Sequence, residues 1–176
     1  REPFILCIGE TENKNIEYAI NLFRALWGTE FERLYIVGRH KHQAKEVQRL
    51  IHDPWTDGKV FFVEKINLHD MVDLYMRTKL LLFSSLYEGF GLPVIEAMAT
   101  GTPVAVLDRD IMREVGKNGV FYLTGELPID RDNILKLFSD KNGLHEMIER
   151  GFKRVREFSY ERSAEQLMEI YSGIAQ

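Results

Sequence analysis

Six short apolar runs, each separated from the next by a stretch of helical period or a polar loop, decide what this chain can fold into. Residues 4–9 (Phe-Ile-Leu-Cys-Ile-Gly) and 33–38 (Arg-Leu-Tyr-Ile-Val-Gly) read as strands that each stop at a glycine. Residues 59–64, 79–84, 103–107 and 120–123 supply four more. Between the first two, Ile16, Ala19, Ile20, Phe23, Leu26 and Trp27 recur at steps of one, three and four, the apolar stripe of a helix. Leu68, Met71, Val72 and Tyr75 mark a second stripe, and further helices are expected over 41–51, 92–99, 110–115, 134–138, 144–158 and 163–174. The strands are continuously apolar instead of alternating, so protein covers both of their faces. Strands alternating with helices at this spacing build right-handed βαβ units. The expected fold is therefore α/β: a Rossmann-like, doubly wound parallel sheet of about six strands with C-terminal helices, forming one domain over 1–176.

Composition narrows the function classes. With 45% apolar and 28% charged residues and a formal net charge of −4, the chain is not disordered, and it lacks the basic balance of a dedicated nucleic-acid binder. The single cysteine, Cys7, forms no internal disulfide and reads as a small strand hydrophobe. Apolar runs of five residues or fewer exclude a membrane-spanning helix. The opening Arg1-Glu2-Pro3 has neither an initiator Met nor a signal peptide, and it reads as the start of a piece of a longer cytoplasmic protein. Peripheral contact with the inner face of a membrane stays open.

In open parallel sheets, ligands bind in the crevice beyond the carboxyl ends of the strands. Three segments fall there: 9–15, 38–41 and 84–92. The third continues as Glu88-Gly89-Phe90-Gly91-Leu92-Pro93 into a helix. Pro93 suits a first helical turn, and Gly89 and Gly91 permit positive φ and close approach of a ligand. Free amides and a positive dipole end at this point suit a phosphate. Glu88 lies in the loop and Glu96 follows eight positions later, in the helix. Ionised carboxylates there accept hydrogen bonds from paired hydroxyls such as a ribose diol.

The run from Leu80 to Val106, LLLFSSLYEGFGLPVIEAMATGTPVAV, closely resembles the signature of the family-four, group 1 retaining glycosyltransferases of GT-B fold, with Glu88 and Glu96 as its Glu-x7-Glu pair. The resemblance extends to the loop from Gly9 to Lys14-Asn15, the strand Leu34 to Gly38, the helix from Leu68, and Phe158-Ser159-Tyr160 with the helix after it. It implies a donor-binding half that faces an N-terminal acceptor domain. Its donor would be a UDP-, GDP- or ADP-sugar, with no metal or other cofactor. Glu96 would then hold ribose hydroxyls and Glu88 the transferred sugar. The amides of Gly89, Phe90, Gly91 and Leu92 would face the sugar and diphosphate, Lys14 would neutralise the diphosphate beside Gly9, and Ile66 would border the nucleobase.

One position departs from the family pattern. Where an Arg usually follows the first-loop glycine, this chain has Glu10, an exchange of two charge units beside a diphosphate. Arg39, at the end of the second strand, reads either as a solvated loop residue or as the cation that compensates. Glu10 keeps open an alternative, a non-catalytic GT-B-like scaffold or partner-binding domain, and another GT-B enzyme such as a nucleotide-sugar epimerase is a third reading. Asp108-Arg109-Asp110 has Asp-x-Asp spacing but reads as a helix N-terminal turn. His40 and His42 lack further ligands beside them for a metal site, and His52, His69 and His145 read as surface or capping residues. Met98, Met168, Phe23 and Trp27 read as core, and Lys153, Arg154 and Arg156 as a solvated basic face.

Overall fold

The protein's structure, a computed structural model describing residues 1–39 and 44–174, orders its elements as the apolar runs dictate. β1 (Glu2–Ile8), β2 (Arg33–Val37), β3 (Val60–Val63), β4 (Thr78–Phe83), β5 (Val104–Leu107) and β6 (Phe121–Leu123) form one sheet. Its order is β3-β2-β1-β4-β5-β6, and every neighbouring pair is parallel. The helices are α1 (Ile16–Leu26), α2 (Lys45–Ile51), α3 (Leu68–Arg77), α4 (Leu92–Ala99), α5 (Asp110–Gly116), α6 (Leu127–Ser139), α7 (Lys141–Val155) and α8 (Tyr160–Ile174). The expected helix over 134–138 is the last part of α6, which begins earlier because Pro128 sits in its first turn. His40, Lys41 and His42 lie outside the described residues.

Two cores sandwich the sheet. Ile5, Cys7, Leu34, Leu80 and Leu82 point to one face, against α1, α2 and α6. Phe4, Leu6, Leu81, Phe83 and Val104 point to the other, against α3, α4 and α5. Period-two alternation with both faces filled explains why the strands read as unbroken apolar runs. Burial pushes the Cys7 thiol up to about 12, so it behaves as a hydrophobe, as its strand position predicts.

The order of the strands fixes where a ligand can enter. Beyond β1 the chain turns to α1 on one face, and beyond β4, its sheet neighbour, it turns to α4 on the other. The two connections part at that point and leave a crevice between them.

Three readings need correction. Trp27 is 45% exposed because it follows the end of α1 and packs edge-on against Trp55 at the rim. Met168 is 64% exposed, since every residue of α8 faces solvent. Arg154, by contrast, is buried and not part of a solvated face. Its Nε donates to the carbonyl of Val115 at 2.9 Å and its Nη2 to that of Glu114 at 2.7 Å, satisfying the C-terminal turn of α5. The same guanidinium lies 4.3 Å from the Phe158 ring centroid. Arg154→Met is expected to lower unfolding free energy by about 2–3 kcal/mol, because two buried carbonyls lose charged donors. Lys153→Met and Arg156→Met, on exposed neighbours, are expected to change it by less than about 0.5 kcal/mol in the same urea titrations.

Candidate functional site

The crevice is built by two loops that bind each other before they could bind anything else. After β1, Gly9 leads into a short 3-10 turn, Glu12–Lys14, and then Asn15, whose φ of 49° is left-handed. After β4, Ser84 and Ser85 are buried, and the loop runs to Gly91 at the entrance of α4. The Ser84 hydroxyl donates to the Lys14 carbonyl at 2.8 Å, and the Leu86 amide donates to that of Asn13 at 2.7 Å. The Asn13 side-chain amide donates to the carbonyl of Tyr87 at 3.0 Å. These three bonds tie residues seventy or more positions apart in sequence.

Lys14 and Glu88, expected at the diphosphate and at the transferred sugar, meet here as an ion pair, with side chains 20% and 15% exposed. The Lys14 ammonium also lies 5.4 Å from the Phe83 ring centroid. Gly9 allows this arrangement, since a Cβ there would lie 2.3 Å from Lys14 Cβ. Gly38, at the end of β2, abuts the same loop: its Cβ would fall 2.3 Å from the Gly9 carbonyl oxygen. Arg39 follows, and its Nε and Nη2 both donate to Glu10 Oε2, at 3.0 and 2.9 Å. Among the described residues, each cation in the loops after the first two strands thus has its own carboxylate.

At the entrance of α4, Gly91 has φ of 97°, and Pro93 stands in the first turn, as the sequence predicts. Among the described residues, the amides of Gly89, Phe90, Gly91 and Leu92 find no protein acceptor, which leaves four donors at the positive end of the helix. Phe90 and Leu92 expose 41% and 51% of their surface, and Phe90 packs edge-on against Phe158. Gly89 departs from expectation: it is not among the residues with positive φ, and a Cβ there would meet nothing within 4 Å. Backbone geometry gives no reason for glycine at that position.

Glu96 is the fifth residue of α4, beyond the first turn, so the helix amides do not hold its carboxylate. Tyr75 does, donating from its hydroxyl to Glu96 Oε2 at 2.8 Å. Reading Tyr75 only as part of an apolar stripe missed this contact. A tyrosine, in place of a phenylalanine, at a buried stripe position is the signal that a polar partner lies within reach. Ile66 follows β3, the edge strand, so it stands at the same end of the sheet but two strands from β1. Asp108 is held well below the usual carboxylate range by Arg113, which donates to both of its oxygens, and Asp110 opens α5. Among the described residues, no group of three or more His, Cys, Asp or Glu is placed to hold a metal ion. None of the described helices is long and apolar enough to cross a membrane.

The family described as glycosyl transferases group 1 matches residues 1–154, and the chain belongs to that family. A serotype-specific mannosyltransferase of Escherichia coli is 32% identical over 148 residues, which are 82% of this chain and 18% of that protein. An O-antigen chain mannosyltransferase of Salmonella typhimurium is 32% identical over 124 residues, 70% of this chain and 35% of that protein. The chain therefore spans about a third or less of these relatives. Among solved structures, sucrose-phosphate synthase from Thermosynechococcus elongatus superimposes with a TM-score of 0.82 at 23% identity, over 98% of this chain and 45% of that one. The C-terminal domain of a group 1 glycosyl transferase from Francisella tularensis gives 0.70 at 19% identity, over 88% and 85%. Both likenesses confirm the Rossmann-like fold.

The two loop glycines make opposite predictions. Gly91→Ala places a side chain at left-handed φ with its Cβ 2.7 Å from Met112 Cε, and it is expected to cost about 1–2 kcal/mol of unfolding free energy. Gly89→Ala is expected to change stability by less than about 0.5 kcal/mol by the same chemical denaturation.

Proposed function

We propose that this chain is the donor-binding half of a retaining glycosyltransferase and that the crevice between residues 9–15 and 84–92 takes the diphosphate of a nucleoside-diphosphate sugar. The observation that carries the reading is that the loops after β1 and β4, where the chain parts to opposite faces, hold the Lys14–Glu88 pair and the amides of residues 89–92, which have no protein acceptor among the described residues. Sugar transfer builds negative charge on the departing diphosphate as the anomeric carbon gains oxocarbenium character. Donors fixed beforehand around that charge lower the barrier without reorganising. Glu88, held by Lys14, is placed to accept from hydroxyls of the transferred sugar, Glu96 from the ribose, and the backbone near Ile66 borders the base. An N-terminal domain of the same protein supplies the acceptor side. The names of the relatives support mannose as the transferred sugar and glycan synthesis as the setting. The protein is assigned to the cytoplasm, where nucleotide-sugars are held.

Calorimetric titration of the chain with UDP, GDP and ADP is expected to detect binding of at least one at millimolar concentration or below. Glu96→Ala and Lys14→Ala are each expected to weaken that binding about tenfold or more, the order of a hydrogen bond to a charged group. No binding of any of the three would contradict the reading.

The Glu10–Arg39 pair favours a second reading, a domain that keeps the fold but has lost a competent diphosphate site. The two readings separate at position 10. If the crevice is a donor site with a weakened cation set, Glu10→Arg should tighten nucleoside-diphosphate binding several-fold, and added salt should erode the gain. An unchanged affinity would favour the scaffold.

A further inference from the structure

We propose that Tyr75 is a positioning residue: its hydroxyl fixes the Glu96 carboxylate so that the remaining acceptor positions meet two neighbouring hydroxyls of a ligand. The inference rests on the reading of Glu96 as the ribose ligand and adds a residue, on a different helix, to which that reading assigns nothing.

Glu96 needs such a partner. It stands on the exposed surface of α4, past the first turn, and a glutamate there has three free torsions. Ordering a side chain of that length costs up to about 2 kcal/mol of rotamer freedom, a loss that falls on the ligand unless the protein has already imposed it. Tyr75 imposes it from a fixed base. The residue is 2% exposed, and its carbonyl accepts hydrogen bonds from Arg1 Nη1, at 3.0 Å, and from the Thr102 hydroxyl. Its ring is packed among the apolar residues between α3, α4 and the sheet. The hydroxyl reaches out of this core to Glu96 Oε2 at 2.8 Å.

The chemistry of the contact leaves the right groups available. A carboxylate accepts about four hydrogen bonds. Tyr75 takes one position on Oε2, while Oε1 has no protein partner among the described residues. Both oxygens of one oriented carboxylate then keep acceptor positions, as a vicinal diol requires. Burial, with the Glu96 charge adding to it, pushes the phenol above the usual tyrosine range, so it remains a donor wherever the protein is folded and active. A phenylalanine would fill the same volume and lack only the donor.

The test compares a ribose ligand with one that lacks the diol. Affinities for the tightest-binding of UDP, GDP and ADP, and for its 2′,3′-dideoxy analogue, are measured by calorimetry on the wild type, Tyr75→Phe, Glu96→Ala and the double variant. Tyr75→Phe is expected to weaken the ribose nucleotide about fivefold to tenfold and leave the dideoxy analogue unchanged. In the Glu96→Ala background it should have no further effect on either ligand. Glu96 is exposed, so its replacement probes the same bond without touching the core. An equal loss for both ligands in Tyr75→Phe would overturn the positioning role, since it would report general disturbance of the site. So would a Glu96→Ala loss with no Tyr75→Phe loss. Unchanged ribose-nucleotide binding in Glu96→Ala would instead overturn the assignment of Glu96 to the ribose, and the role of Tyr75 with it.

Discussion

The bond on which the rest of the crevice depends is the one from the Ser84 hydroxyl to the Lys14 carbonyl, with its companion from the Leu86 amide to the Asn13 carbonyl. β1 and β4 are neighbours, but the chain leaves them toward opposite faces of the sheet, so nothing in the strand ladder holds the two exits together. These bonds do. They set the Lys14 backbone over the end of β1, which directs its ammonium to Glu88 and across the Phe83 ring. Among the described residues, the amides at the start of α4 are left without protein acceptors.

Every later feature follows from that placement and from the scarcity of free charge. The chain is acidic overall, and among the described residues the cations that follow the first two strands, Lys14 and Arg39, are each matched by a carboxylate. Attraction for an anion therefore falls more on oriented backbone dipoles than on net charge. A site of that kind selects by geometry, because a ligand must present acceptor atoms to fixed backbone donors.

Much of this was legible in the residues. Unbroken apolar strands ending at glycines, alternating with helical stripes, imply the doubly wound sheet and hence the end at which a ligand sits. The Glu-x7-Glu run marks the loop and helix that carry the site. What the sequence could not show was pairing between distant segments. Nothing in Glu10 or Arg39 alone announces their ion pair, nor does Tyr75 announce Glu96, because each contact joins two elements whose approach only the fold determines. Arg154 misled for a related reason. Its neighbours Lys153 and Arg156 face solvent, but helical rotation turns Arg154 inward to the end of α5. Gly89 misled in the other direction, since a glycine beside a genuine left-handed glycine invites the same explanation and has a different backbone.

On the function proposed here, a nucleoside diphosphate occupies the crevice where β1 and β4 part. Mapping amide chemical-shift changes of the isotopically labelled chain during nucleotide titration tests it most directly. The largest changes are expected on residues 89–92 and 9–15, with smaller ones reaching Glu96 and the segment around Ile66. Changes centred elsewhere, such as at the rim around Trp27 and Lys59 at the opposite end of the sheet, would contradict it.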